Sequence, residues 1–134
     1  MAHFQVKLTI PANTPVDRPV KASVPIEGEV FSGFVKFIPY GVCGLAHYRL
    51  LYGLEQLYPK AAGTWDTGDG IVDYVPVGWI MPEHICEITV EGYNEDDTYE
   101  HTIYLLLETE TLAKVRLEQY VEEIYKMLKE FLGV

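Results

Sequence analysis

The chain has 134 residues, enough to close one hydrophobic core but too few for two ordinary domains. Its 20 acidic and 10 basic side chains leave a formal charge of −10, which repels phosphate backbones and anionic headgroups and argues against nucleic acid or a membrane surface as partner. With 49% apolar and 13% aromatic residues the composition is that of a folded protein rather than a disordered one.

The N-terminal Met-Ala-His-Phe-Gln-Val-Lys lacks a basic segment followed by an apolar stretch, and no apolar run approaches the ~18 residues of a membrane span. Synthesis and folding in a cytoplasm are therefore expected. Phe4, Val6, Leu8 and Ile10 alternate with His3, Gln5, Lys7 and Thr9, the period of a strand with one buried face, and Pro11 ends it. After a Pro-rich turn, Val20, Ala22 and Val24 alternate with Lys21 and Ser23 as far as Pro25.

Residues 30–38 form a β-branched and aromatic run stopped by Pro39, and residues 45–52 alternate again, with Ala46, Tyr48, Leu50 and Tyr52 on one side. The polar, Gly-rich stretch from 53 to 70 reads as the longest loop, and residues 71–75 as a short strand closed by Pro76. A last pair of strands, 85–91 and 99–108, is joined by a tip rich in turn formers, Gly92-Tyr-Asn-Glu-Asp-Asp-Thr98. Seven short strands with Pro and Gly punctuation predict an antiparallel, jelly-roll-like β-sandwich over residues 1–108.

Residues 109–134 differ in kind. From Thr111 to Leu132 there is no Pro or Gly, helix formers dominate, and Gly133 supplies a stop. Leu117, Val121, Ile124, Leu128 and Phe131 recur at steps of four and three, and Tyr120, Tyr125, Met127 and Leu132 flank them. At 100° per residue these side chains cover about 160° of the helical wheel, wider than the seam of a two-stranded coiled coil. Leaving that face in water would forgo on the order of 10 to 25 kcal/mol of burial. Leu112 and Val115 lie on nearly the opposite side, which suits a first turn anchored on the sandwich. The expected oligomer interface is Leu117, Tyr120, Val121, Ile124, Tyr125, Leu128, Phe131 and Leu132, and three chains are the expected closed number.

Little in the chain suggests catalysis. His3, His47, His84 and His101 are scattered singly without metal-ligand spacing and read as strand-face residues, and no serine lies in a nucleophile elbow. Cys43, in a Gly-Val-Cys-Gly turn, and Cys86, in a strand, are consistent with one disulfide or two free thiols. Asp66, Asp69, Asp73 and the tip Asn94-Glu95-Asp96-Asp97 raise calcium as an option, but turn formation suffices, so the tip is expected to be exposed and metal-free. Asp66-Thr-Gly-Asp-Gly70 lacks the Lys-Ser/Thr and following helix of a phosphate loop. Trp65, Trp79, Tyr58 and Tyr93 read as residues in or beside loops, able to stack on sugars or simply to pack. No cofactor is expected.

The segments Phe37-Ile-Pro-Tyr-Gly-Val-Cys-Gly-Leu-Ala-His-Tyr-Arg-Leu50 and Ile88-Thr-Val-Glu-Gly-Tyr-Asn-Glu-Asp-Asp-Thr-Tyr-Glu-His-Thr102, with Ile10-Pro-Ala-Asn-Thr14, resemble a group of small β-domain proteins of phage and virus structural gene clusters. The resemblance spans roughly residues 8 to 107, and the helix departs from the group's pattern. It brings no catalytic residues. It implies a virion component such as a head decoration, adaptor or tail-associated subunit, with other capsid or tail proteins as further partners. The function expected is thus a non-enzymatic assembly protein that self-associates through its helix. The alternative is a β-sandwich module binding carbohydrate or calcium, and a hydrolase with dispersed carboxylates stands third.

Overall fold

A computed structural model describes residues 1–133. The strands are β1 (Ala2–Ile10), β2 (Val20–Glu27), β3 (Val30–Ile38), β4 (Ala46–Tyr52), β5 (Glu55–Tyr58), β6 (Ile71–Ile80), β7 (Ile85–Asn94) and β8 (His101–Glu110), followed by helix α1 (Leu112–Phe131). They form two antiparallel four-stranded sheets, ordered β1-β8-β3-β6 and β2-β7-β4-β5. Pairs β1·β8, β2·β7, β3·β6 and β4·β5 nest within one another, alternating between the sheets, which is the winding of an eight-stranded jelly roll.

The period of two decides which side chains meet between the sheets. Val6, Leu8 and Ile10 of β1 are buried and Phe4 packs beside them, whereas Gln5 and Lys7 are exposed, as the alternation requires. Ile88 and Val90 of β7 approach from the other sheet, with Phe34 and Tyr48 at the centre. Phe34 has Tyr58 at 5.1 Å and Tyr48 at 6.4 Å between ring centroids, both edge-on. Gly92 admits the β1 side chains, since a Cβ there would sit 2.6 Å from Ile10 Cδ1 and 2.7 Å from Leu8 Cδ2.

Several sequence expectations need correction. The segment 53–70 contains a strand, β5, so there are eight strands rather than seven. β6 runs through Pro76 to Ile80 instead of ending at Val75, because β6 is an edge strand, where a missing N–H need not break a ladder. His84 lies in a turn before β7, not on a strand face. Trp79, near the end of β6, packs against Tyr52, and Tyr58, at the end of β5, joins the core-side cluster, so both take the packing alternative beside their loops. The hairpin tip is not uniformly exposed: Asn94 is buried, having the inward parity of Ile88 and Val90. Its Nδ2 donates to the carbonyls of Ile10, Pro11 and Tyr99, and its Oδ1 accepts from Asp96 N, so it ties the end of β1 to the tip. Cys43 is exposed and Cys86 buried, and the two thiols are free.

Replacing Phe34 by Ala removes a fully buried ring between the sheets. Urea unfolding is expected to show a loss of about 3 to 5 kcal/mol, with little change in the slope of the transition.

Candidate assembly surfaces

Helix α1 starts one residue after β8. Thr111 caps it, its side chain accepting from Lys114 N at 3.3 Å, and Lys114 Nζ donates to Glu110 Oε1 at 3.2 Å. Glu110 is itself buried, so this i,i+4 pair fastens the first turn to the end of the sheet. Leu112 and Val115 are half-buried. Lys129 in the last turn complements the helix dipole.

Beyond that first turn the helix projects. None of its residues is buried, and Leu117, Tyr120, Val121, Ile124, Tyr125, Met127, Leu128 and Phe131 are 39–87% exposed, with Leu132 just past the end at 69%. Of the eight residues singled out from the sequence, seven thus lie on one continuous side of α1 and Leu132 just past its end, uncovered by the other described residues. No helix among the described residues is long and apolar enough to cross a membrane.

A second apolar surface was not legible in the sequence. On the outer face of the β1-β8-β3-β6 sheet, register aligns Tyr74, Val35 and Leu106 in one row and Val72, Phe37 and Tyr104 in the next. Five of these six are 37–67% exposed, and Phe37 and Tyr104 touch with ring centroids 5.6 Å apart. Tyr74 lies across Gly33, where a Cβ would come within 2.5 Å of its hydroxyl. The outer face of the other sheet is polar by contrast. There Lys21, Glu91 and Arg49 are cross-strand neighbours, Arg49 donates to Glu91 Oε2 from Nε (3.0 Å) and Nη2 (2.9 Å), and the Ser23 and Thr89 hydroxyls are 3.1 Å apart.

Titratable groups gather at Asp66. Its Oδ2 accepts from Lys36 Nζ (2.8 Å), Tyr48 Oη (2.8 Å) and Tyr58 Oη (2.9 Å), and its backbone pairs with Tyr48 in both directions. Burial works against the carboxylate, but the hydrogen bonds from Lys36, Tyr48 and Tyr58 outweigh it and hold Asp66 below the usual range. Burial, with Asp66 beside them, pushes Tyr58 up to about 12 and Tyr48 further still. The signal for this pair was the parity of Lys36, which alternation places inward between Phe34 and Ile38.

The other carboxylates of the calcium option are dispersed into local contacts. Asp69 Oδ1 accepts from Gly41 N and Cys43 N, Asp73 Oδ1 from Tyr74 N, and Asp96 Oδ1 from Thr98 N and Tyr99 N. Asp96 Oδ2 accepts from His101 Nε2 at 2.8 Å. His47 and His84 likewise meet Glu95 (2.6 Å) and Glu27 (2.9 Å). Among the described residues no three acidic, Cys or His side chains converge as a metal's ligands would. Trp65 and Tyr93 come together edge-on at 4.8 Å, but Arg49 lies 4.3 Å over the Trp65 ring and His47 stacks on Tyr93 at 4.4 Å.

No protein-family model matches the sequence, and no curated protein matches it. Solved structures similar to it include the infectious bursal disease virus VP2 subviral particle (12% identity, 81% of this chain and 33% of that one, TM-score 0.37). A carbohydrate-binding module of the β-sandwich superfamily is similar at 10% identity over 78% of this chain and 53% of its own, TM-score 0.38. A triple jelly-roll protein of an archaeal virus turret is similar at 12% identity over 82% and 29%, TM-score 0.35. The chain therefore spans about a third of the viral subunits and about half of the binding module. Likenesses this distant carry no functional assignment.

The Asp66 network gives a pH dependence of known sign. A carboxylate held below its unfolded pKa stabilises the fold above about pH 4 and loses that contribution as pH falls through the folded value. Thermal unfolding of wild type and Asp66→Asn is expected to differ most near neutrality and to converge in acid. An unchanged gap down to pH 2 would contradict the ion-pair account.

Proposed function

We propose that this protein is a non-enzymatic assembly subunit that forms a closed homo-oligomer through α1, with three copies the expected number, and serves as a component of a larger particle such as a virion. The observation that carries the reading is the uncovered apolar side of α1, nine large side chains on a helix with no buried residue. An isolated helix of this length gains most of its stability from packing, so a helix whose apolar side beyond the first turn is left exposed by the described residues calls for a partner. A second copy fits because α1 carries four basic and four acidic residues, leaving the net −10 on the rest of the chain. Contact through the neutral helix avoids pressing two acidic sandwiches together.

The geometry at Asp66 favours a structural over a catalytic role. Its charge is shared among three donors that join β3, β4 and β5 to the 66–67 segment. A carbohydrate-binding module is the weaker reading, since Trp79 and Tyr58 pack inward and Arg49 and His47 each occupy a face of Trp65 and Tyr93.

Light scattering coupled to size-exclusion chromatography is expected to give the mass of a trimer for the wild type. Replacing Val121 and Leu128 with Asp is expected to give a folded monomer, because each change puts a charge in the middle of the contact. A monomeric wild type, or a double variant that keeps the wild-type mass, overturns the proposal.

A further inference from the structure

Among the described residues two apolar surfaces lack a cover: the side of α1 and the outer face of the β1-β8-β3-β6 sheet. We infer that they cover each other between copies, with α1 of one subunit lying on the Val35, Phe37, Val72, Tyr74, Tyr104 and Leu106 face of the next. This rests on the helix-mediated assembly proposed above and names the surface that the helix meets.

Widths agree with the pairing. A helix about 10 Å across lies over two or three strands spaced about 4.8 Å apart, the width over which the two apolar rows extend. An apolar side of about 160° is wider than a helix–helix seam and suits a broad sheet.

The chain's own helix does not reach this face. A single residue, Thr111, separates β8 from α1, the Glu110–Lys114 pair ties the first turn to the end of β8, and no residue of α1 is buried. The occupant is therefore another copy's helix. Charge favours it over sheet-on-sheet stacking, because the sandwich bears the whole net charge and α1 none. The contact also shields β6, a ten-residue edge strand without a lysine, of the kind that other proteins protect with a helix.

Helix on sheet is a head-to-tail contact between different patches, which closes as a ring when the rotation allows and is consistent with three copies. It differs from a bundle of three helices in one respect that can be measured. In a ring each subunit gives a helix and receives one, so a chain defective in giving and a chain defective in receiving complement each other.

The experiment uses full-length chains, with Phe37→Asp/Tyr104→Asp as the sheet variant and Val121→Asp/Leu128→Asp as the helix variant. Circular dichroism and thermal unfolding verify that each is folded. Val72→Lys/Tyr74→Lys, at exposed positions of the edge strand, replaces the first sheet variant should it fail. Each variant alone is expected to show about a threefold loss of mass by light scattering, to monomer. Mixed at equal concentration, they are expected to form a 1:1 complex. If the sheet variants keep the wild-type oligomer while the helix variant loses it, the helices meet one another and the inference falls, although helix-mediated assembly stands. Two monomeric variants that stay monomeric when mixed also overturn it. A monomeric wild type removes both proposals.

Discussion

A two-layer sandwich buries one face of each sheet and leaves the other to water or to a partner, and the rest of this structure follows from how the chain treats those two outer faces. One is answered within the chain, by the Lys21, Glu91 and Arg49 ladder and the Ser23–Thr89 contact. The other presents Phe37, Tyr74, Tyr104 and Leu106. Because α1 leaves the sandwich after a one-residue connection, it does not supply the missing layer to its own sheet. The same chain thus exposes an apolar sheet and an apolar helix, and the need to cover both shapes the assembly proposed.

Polar groups inside the sandwich are tolerated because they are paired. Lys36, inward on β3, meets Asp66 at 2.8 Å, and the two tyrosine hydroxyls complete the carboxylate's environment. An unpaired lysine at that position would carry the full cost of desolvation. Asn94 does comparable work two residues along β4 from Tyr48, where its amide bridges the end of β1 and Tyr99, just before β8. Both groups organise chain segments that have few apolar residues of their own, and both lie where a loop must be held against a sheet.

Strand legibility tracked how one-sided each strand is. β1 has one buried and one wet face, so its alternation is unambiguous and the structure follows it residue by residue. β5 has only four residues, between Gly53-Leu54 and Pro59, and gains its strand geometry from pairing with β4 rather than from its own propensity. β6 escaped its apparent end because Pro76 breaks only a central strand, and edge position is a property of the sheet order. Asn94 looked like one more turn former, yet it shares parity with Val90 and is drawn inside.

What the sequence determined by itself is whatever depends on local periodicity: eight-residue-scale alternation in the strands, the extent of the helix from its Thr cap to its Gly stop, and the breadth of the helix's apolar side. Those signals survive because a period of 2 or 3.6 is written in neighbouring residues. Only the tertiary structure decided which surfaces end up uncovered. β3 carries apolar residues on both faces, and its outward Val35 and Phe37 become a shared patch only once β6 and β8 align beside it. Likewise the projection of α1 was set by the single residue between β8 and the helix together with the burial of Glu110, and these are facts of chain geometry and packing rather than of pattern.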